Sequence, residues 1–319
     1  MTQASASESF DAILDGRMPA EDISSFLVRL AERGETAEEI AAAATAMRAR
    51  MVPAIAPANA IDVCGTGGDG QHSLNISTAV ALVVASLDVP MAKHGNRAAS
   101  SKAGGADTLE ALGLDLSKAG EGAQRTLDEI GIGFFFAQNH HPALGPIAPI
   151  RKALGRRTIF NLLGPLCNPA GVKRQLIGVS SPDLVEKYAK AVSKLGFERV
   201  MVVSGEEGLD ELSIAGPSKV ALIDNSAITL SIITPEDAGL PRHSLGAIKG
   251  GDAEYNAAEL RKLLAGDKGA YRDAVLLNSA AALMVAGEVD SWEEGVEEAA
   301  EALDKGLPKA LLDCWIANQ

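Results

Sequence analysis

The chain has 319 residues, of which 47% are apolar and 4% are aromatic. This length and apolar content are sufficient to bury one large core or two smaller ones, so they exclude a disordered chain. The formal net charge is −13, and so acidic a surface repels phosphate backbones and anionic membranes, which argues against nucleic-acid and membrane-surface binding.

The three cysteines, Cys64, Cys167 and Cys314, are widely spaced and form no CxxC pair. We therefore expect neither a disulfide framework nor a zinc site. The polar, acidic segment 1–11 does not resemble a signal peptide, and the longest apolar runs are too short to span a bilayer. These features predict a cytoplasmic protein.

The first fifty residues have the periodicity of helices. Thr36 and Glu39 are spaced as a capping box, and Pro53 and Pro57 end the helical pattern. We predict a small helical domain over 1–58. Four apolar residues at helical spacing define one face of its second helix: Ile23, Phe26, Leu27 and Leu30.

From Ala60 onwards, short apolar runs alternate with helical stretches. This alternation predicts an α/β domain over 59–319, with a mostly parallel central sheet flanked by helices. The predicted strands are 60–63, 89–92, 134–137, 175–179, 199–203 and 220–223, and the predicted helices include 78–87, 101–112 and 183–195. Near the end, Ser291 and Glu294 predict another capping box.

A glycine-rich loop, CGTGGDG at 64–70, follows the first predicted strand and precedes a predicted helix. Glycine lets the backbone approach a ligand closely, and consecutive N–H groups in such a loop bind anions. A plain βα turn is an equally good interpretation, and the loop is neither a P-loop nor a dinucleotide-binding GxGxxG. Asp69 could also hold a substrate amine or a ribose hydroxyl.

The segment NIST, at 75–78, lies at the predicted start of the following helix. Its polar residues are good helix caps, which is the simplest role for them. A helix N-terminus also binds phosphate through its free N–H groups and its dipole. Because the glycine-rich loop lies just upstream, both features could bind one anion.

A basic cluster follows the next predicted strand, at the edge of the sheet where open α/β proteins bind ligands. Its members are Lys93, His94, Arg97 and Lys102. Such clusters are often plain surface, but this one is dense in phosphate-binding residue types. It predicts a substrate that carries pyrophosphate.

Asp210 and Glu211 follow another predicted strand, and a carboxylate pair there can hold Mg²⁺ together with substrate phosphates. Alone the pair is a weak signal, because acidic pairs are common in this sequence.

Adjacent His140 and His141 point apart in regular structure, so helix capping or substrate shaping is favoured over a metal site. Arg151 could pair with a carboxylate substrate.

Five motifs in this order resemble the anthranilate phosphoribosyltransferase family. They are GTGGDG at 65–70, NIST at 75–78, KHGNR at 93–97, RTIFNLLGP at 157–165, and the pair Asp210-Glu211. The resemblance implies magnesium-dependent transfer of phosphoribosyl from phosphoribosyl pyrophosphate to the amine of anthranilate, in tryptophan synthesis. It also implies a homodimer formed through a small helical domain, which a second segment at 150–171 completes.

The resemblance also assigns residue roles. Anthranilate would contact Gly65, Asn96, His141 and Arg151, with Arg151 on its carboxylate. Two magnesium ions would be held by Ser77, Asp210 and Glu211. No residue would act as a covalent nucleophile. The diphosphate donor would be bound by Gly65, Gly68, Asp69, Ser73, Asn75, Ile76, Ser77, Thr78, Lys93, His94, Gly95, Asn96, Arg97, Ala98, Ala99, Ser100, Ser101 and Gly105.

Two positions depart from the family pattern. Gly105 stands where the family often has Ser, which removes one hydrogen bond to the diphosphate. Leu144-Gly145 stands where Met-Lys or Met-Arg is frequent in the anthranilate channel. The remainder of RTIFNLLGP, from Asn161 to Pro165, is predicted to be a structural turn.

Two other functions fit parts of the pattern. A pyrimidine nucleoside phosphorylase has a related architecture but uses free phosphate, whereas KHGNR and Asp210-Glu211 favour a diphosphate donor. A non-catalytic relative that binds nucleic acid is disfavoured by the net charge of −13.

Overall fold

The computed structural model describes residues 3–98 and 102–318, and the chain begins with three helices. These are α1 (Gln3–Leu14), α2 (Ala20–Arg33) and α3 (Ala37–Arg48). The predicted apolar face of α2 is buried. The capping box of α3 is confirmed, because the Glu39 N–H donates to Thr36 Oγ1 at 3.2 Å and the Thr36 N–H donates to Glu39 Oε2 at 3.0 Å.

The rest of the chain alternates strands and helices and then ends in helices. The strands are β1 (Ile61–Gly65), β2 (Met91–Gly95), β3 (Ile132–Phe136), β4 (Arg174–Gly178), β5 (Arg199–Gly205), β6 (Ser218–Asp224) and β7 (Ala227–Ile233). The helices are α4 (Ile76–Ala85), α5 (Gly105–Leu112), α6 (Ala119–Ile130), α7 (Ala137–His140), α8 (Ala148–Leu154), α9 (Pro182–Val192), α10 (Ala253–Leu264), α11 (Ala270–Ala286), α12 (Trp292–Asp304) and α13 (Leu307–Ala317). Short 3-10 turns occupy Pro142–Leu144, Ile159–Leu162, Gly164–Cys167, Pro235–Ala238 and Leu245–Ile248.

The described strands form one sheet in the order β3-β2-β1-β4-β5-β6-β7. The first five in this order are parallel, and β6 and β7 add an antiparallel hairpin at one edge. This confirms the predicted α/β class with a mostly parallel sheet. The chain moves outwards from β1 to β3 and then returns to β4, so the direction of winding reverses between β1 and β4. Such a switch point leaves a crevice at the carboxyl ends of the two strands.

Each face of the sheet packs against a different set of helices, because successive side chains of a strand point to opposite faces. Leu176 and Met201 face the cluster that contains the apolar residues of α4 and α11. Ile177 and Val202 face the cluster that contains residues of α9 and α3. This second cluster also includes the 3-10 turns between 159 and 167, so the N-terminal helices and one sheet face share a core.

Several element boundaries and one capping box differ from the predictions. Lys93 and His94 lie inside β2 rather than after it, and the helix expected from 101 begins at Gly105. The Glu294 N–H donates to Ser291 Oγ, but the Glu294 carboxylate accepts from the Asp290 N–H, so half of that capping box forms.

Strand β7 was not predicted. Among its side chains, only Ile233 is buried, so its sequence has no clear alternation between core and solvent. Within the described residues, no helix has the length and apolar content needed to cross a membrane.

Candidate active site

Two glycines form the floor of the crevice between β1 and β4. Gly65 and Gly178 end these strands and are paired in register, with Asp210 directly above them. A Cβ at Gly65 would lie 2.1 Å from Asp210 Oδ2, and one at Gly178 would lie 1.6 Å from the Asp210 backbone oxygen. Any larger residue at either position would displace Asp210, so the glycines make its position possible.

Asp210 is bound by the glycine-rich loop. The Gly67 N–H donates to Asp210 Oδ2 at 2.7 Å, and Gly67, Gly68 and Gly70 all have positive φ values that favour glycine. Burial, followed by the charge of Asp69, raises the pKa of Asp210 to about 7. The predicted anion-binding loop therefore positions an acid as well.

Glu211 faces the first turn of α4. Its carboxyl group is buried and accepts a hydrogen bond from the Ser77 N–H, and burial followed by the Asp210 charge raises its pKa well above the usual range. Lys93, 3% exposed, donates to Val63 O at 2.7 Å and lies 3.5 Å from Ser77 Oγ. The structure thus brings the three predicted metal ligands, Ser77, Asp210 and Glu211, to one place.

We call Asp69, Asp210 and Glu211 the carboxylate cluster, and its chemistry fits a hard divalent cation. Burial raises the pKa of Asp210 and of Glu211, and Asp69 Oδ2 is buried without a hydrogen-bond partner among the described residues. In that part of the chain, no group of three or more His, Cys, Asp or Glu side chains is placed to hold a metal by itself. The Ser77 hydroxyl and substrate or water oxygens would complete the coordination.

The start of α4 carries the other predicted donor-binding residues. Asn75 precedes the helix but does not cap it; its Oδ1 accepts from Thr108 Oγ1 at 2.5 Å and from Asn256 Nδ2 at 2.9 Å. Thr78 Oγ1 is buried and has no partner within the described residues. A Cβ at Gly105 would lie 3.2 Å from that hydroxyl, so a side chain at this departure from the family pattern would crowd Thr78.

Ile76 of the NIST segment and the nearby Ser73 and Gly95 contribute to the structure around the crevice. Ile76 is buried in the core on the α4 side of the sheet, and Ser73 forms an isolated antiparallel bridge with Lys249. A Cβ at Gly95 would lie 2.7 Å from the Phe134 ring, so glycine is required where β2 ends. These residues frame the crevice from the side of β2 and α4.

The basic cluster carries less free charge than its sequence implies. Arg97 Nη1 lies 3.1 Å from Asp107 Oδ1, and Arg97 also pairs with Glu110. These partners raise the Arg97 pKa. Burial, with a smaller contribution from the neighbouring His141, lowers the pKa of His94 to about 3, so His94 is neutral. The expectation that both residues present positive charge to a diphosphate therefore needs correction.

The outer part of this cluster is partly described. Asn96 Oδ1 accepts from the Arg97 N–H at 2.8 Å, and the Ala98 N–H donates to Asp107 Oδ2 at 2.9 Å. Lys102 is exposed. The predicted donor-binding residues Ala99, Ser100 and Ser101 lie outside the described residues.

The adjacent histidines point apart, as predicted. His140 Nδ1 lies 2.8 Å from Val52 O, whereas His141 Nε2 lies 3.2 Å from His94 Nε2. His94 Nδ1 lies 3.2 Å from the Gly164 carbonyl, an obligate acceptor, so that nitrogen carries the proton. Burial, followed by His140, lowers the pKa of His141 to about 4. His141 therefore connects β2 to the segment after β3 as a neutral ring.

Replacing His94 with Asn is expected to remove an acid sensitivity of the fold. The pKa of His94 falls from 6.5 to about 3 on folding, so the unfolded chain binds the extra proton between these values. Below pH 6.5 the unfolded chain gains a proton that the folded chain does not bind, so the free energy of unfolding of the wild type declines as the pH falls. Above pH 6.5 the ring is neutral in both states and this loss is absent. Urea unfolding measures the free energy of unfolding of both proteins. The amount by which the value for His94→Asn falls short of the wild-type value should shrink by about 2 kcal/mol between pH 7 and pH 4.5.

The exposed His72 provides the control, because His72→Asn makes the same substitution at a solvent-exposed position outside the buried histidine pair. A deficit of His94→Asn that stays the same at both pH values would show that His94 is not held neutral by the fold.

Arg151 lies on α8, with its guanidinium 5.7 Å from the centroid of the Phe160 ring. Burial lowers its pKa. Its guanidinium makes no hydrogen bond or ion pair within 3–98 and 102–318, so a substrate carboxylate could be its partner. Asn161 Oδ1 accepts from the Thr158 N–H at 3.0 Å, which confirms a structural turn there. Leu144 packs against the same core as Phe160.

Asp62 is a supporting residue that the sequence reasoning missed. It is 0% exposed. Asp62 accepts from the His94 N–H at 3.1 Å, Asn168 Nδ2 at 2.8 Å and Gln175 Nε2 at 3.1 Å. It thereby joins β1, β2 and β4 below the crevice. A lone acid inside an apolar strand was the available signal, because buried polar groups need partners.

Comparisons with known proteins agree with this geometry. Residues 57–309 match the α/β domain of a glycosyl transferase family, and residues 1–51 match the helical bundle domain of that family. A crystal structure of anthranilate phosphoribosyltransferase from Thermus thermophilus superimposes with a TM-score of 0.92 at 44% identity, covering 99% of this chain and 95% of the other. The structure of the enzyme from Saccharomyces cerevisiae, in complex with PRPP and Mg, superimposes with a TM-score of 0.88 at 28% identity. It covers 99% of this chain and 93% of the other.

The fold and its crevice therefore define a glycosyl transferase with a helical and an α/β part. Within that class, the curated anthranilate phosphoribosyltransferase from Novosphingobium aromaticivorans is 62% identical over 99% of this chain and 96% of its own length. The curated anthranilate phosphoribosyltransferase from Sphingopyxis alaskensis is 61% identical over 98% of this chain and 94% of its own length. The chain belongs to the anthranilate phosphoribosyltransferase family.

Proposed function

We propose that the crevice between β1 and β4 is where this chain carries out the reaction of its family. Phosphoribosyl is transferred from phosphoribosyl pyrophosphate to the amine of anthranilate, which gives N-(5-phosphoribosyl)anthranilate and pyrophosphate in tryptophan biosynthesis. The observation that carries the proposal is the placement of Asp210 above Gly65 and Gly178, beside Glu211 and Ser77, at the switch point of the sheet.

The diphosphate donor would lie along the glycine-rich loop and the start of α4. Free N–H groups at a helix N-terminus and in a glycine-rich loop bind phosphate oxygens. Buried Lys93 supplies a fixed positive charge at this position, next to Ser77 and the carboxylate cluster. Magnesium, held by Ser77, Asp210 and Glu211 with the donor's phosphates, would supply positive charge that stabilises the departing pyrophosphate.

The acceptor would lie against Asn96, His141 and Arg151. His141 is neutral, and the half-buried Arg151 side chain has no hydrogen bond or ion pair among the described residues, so its guanidinium is available to the anthranilate carboxylate. An aromatic amine is already nucleophilic, so its attack on ribose C1, with inversion, requires no strong base. The contribution of the chain is then to align amine and C1 and to exclude water, which would otherwise hydrolyse the donor.

We further propose two magnesium ions per chain, a homodimer formed through the helical part, and a cytoplasmic location. Residues 1–58 and 150–171 would form the helical domain, with the other residues of 59–319 in the α/β domain. The turns between 159 and 167 pack with α1, α2 and α3 in the core that these helices share with one face of the sheet, which supports grouping 150–171 with the N-terminal helices. The S. cerevisiae complex with PRPP and Mg supports the donor and the metal.

The reaction is tested by following anthranilate fluorescence in the purified protein. Addition of phosphoribosyl pyrophosphate and magnesium is expected to abolish the fluorescence over time, and EDTA added beforehand is expected to prevent the loss. Thymidine with inorganic phosphate, the substrates of a nucleoside phosphorylase, should release no base. Fluorescence that persists while calorimetry still detects donor binding would contradict the assignment of the acceptor.

A further inference from the structure

Asn256 lies on α10, far along the chain from the glycine-rich loop, yet it contacts the proposed donor site. Its side chain is 2% exposed. Its Nδ2 donates to Asn75 Oδ1 at 2.9 Å, and its Oδ1 accepts the Gly251 N–H at 2.8 Å. Asn256 therefore connects α10 both to the start of α4 and to the segment that precedes α10.

That preceding segment runs along the proposed donor-binding segment. Two backbone hydrogen bonds, of 2.8 and 2.7 Å, join residues 248–250 to residues 72–74. The bridge between Ser73 and Lys249 lies between them. A Cβ at Gly250 would lie 2.6 Å from Ser73 O, so glycine is what lets the two segments approach. Asn256 anchors this pairing at its end.

The orientation of the Asn75 amide follows from its two donors. Thr108 is 0% exposed, and its Oγ1 lies 2.5 Å from the same Asn75 oxygen that Asn256 contacts. An atom that receives two donors must be the carbonyl oxygen, so the amide NH₂ points the other way. There it lies 3.4 Å from the Ala103 carbonyl. Its second N–H has no hydrogen-bond partner among the described residues.

We propose that Asn256 is a positioning residue of the donor site. Together with Thr108, it fixes the Asn75 amide so that the NH₂ group donates to an oxygen of phosphoribosyl pyrophosphate. Because both fixing residues are buried, water does not compete for the Asn75 oxygen. The inference rests on the proposed function, in which Asn75 binds the donor, and Asn256 acts through Asn75 without touching the substrate.

Asn256→Asp separates the two contacts of this side chain. A carboxylate still accepts the Gly251 N–H, but it cannot donate to Asn75 Oδ1, and its charge favours the flipped Asn75 amide. We expect the KM for phosphoribosyl pyrophosphate to rise about tenfold. The KM for anthranilate and the kcat at saturating donor should change less than about twofold, because these depend on groups elsewhere in the crevice.

Two further variants guard against a general loss of structure. Thr108→Val removes the other donor to Asn75 with little change of shape, and it should also raise the donor KM selectively. Leu260→Ala removes a fully buried apolar side chain of α10, which cannot hydrogen-bond to Asn75 or Gly251. It should lower the Tm and leave the donor KM unchanged. Equal changes in both KM values, or a donor effect as large in Leu260→Ala, would overturn the proposal.

Asn75→Ala distinguishes this inference from the function on which it rests. If Asn75→Ala leaves the donor KM unchanged, the assignment of Asn75 to the donor site is itself wrong. If Asn75→Ala raises the donor KM while Asn256→Asp and Thr108→Val do not, the proposed role of Asn256 alone is wrong. Calorimetric titration of each variant with the donor should reproduce the order of the KM values.

Discussion

Glu211→Gln is expected to lower kcat/KM at least 100-fold while the fold is retained. The amide keeps the shape of the side chain and can still accept the Ser77 N–H, but it removes the carboxylate that would hold magnesium. A 100-fold loss corresponds to about 2.7 kcal/mol of transition-state stabilisation. The anthranilate fluorescence assay, run over a range of magnesium concentrations, measures the change.

The Tm gives a second, independent prediction for this variant. Burial raises the pKa of Glu211, so replacing its carboxyl group with a neutral amide should leave the Tm at pH 8 unchanged or raise it. Glu206→Gln changes an exposed acid in the same loop and should alter neither activity nor Tm. Activity of Glu211→Gln close to wild type would rule out Glu211 as a metal ligand.

Gly178→Ala is expected to reduce both activity and stability. The added Cβ would lie 1.6 Å from the Asp210 backbone oxygen, and the loop that carries Asp210 and Glu211 must move away. Overpacking of this kind costs about 1–3 kcal/mol in the free energy of unfolding. The displaced carboxylates should lower kcat/KM about 100-fold, and urea unfolding with steady-state kinetics would measure both effects.

Gly246→Ala is the matched control, because a Cβ there would meet nothing within 4 Å. It should preserve activity and stability to within experimental error. If Gly178→Ala loses stability but keeps full activity, then the position of Asp210 is not required for turnover.

Features that depend on residues close together in the chain were predictable from the sequence. The apolar face of α2, the capping box at Thr36 and five parallel strands follow from local periodicity and spacing. The glycine-rich loop and the Asp210-Glu211 pair were recognised as candidate sites for similar reasons, because each consists of consecutive residues with a recognisable chemistry.

Features that depend on distant pairing were not predictable. Gly178 becomes important only once β4 lies beside β1, and Asn256 only once α10 lies beside Asn75. The basic cluster was overestimated, because the acidic partners of Arg97 lie on the next helix and the burial of His94 depends on the whole sheet. The sequence gives the number of basic residues, but the positive charge available at a site also depends on burial and on pairing with acidic side chains.

The in-register pairing of Gly65 with Gly178 also bears on how the sheet assembles. If β4 slipped by one residue against β1, Ile177 or Val179 would replace Gly178 beside Gly65, and the side chains of β4 would exchange faces. The 205–211 loop could not then close over the strand ends, because a side chain would occupy the space that Asp210 needs. A misaligned sheet would remain open and less stable. The residues that make room for chemistry therefore also favour correct strand alignment during folding.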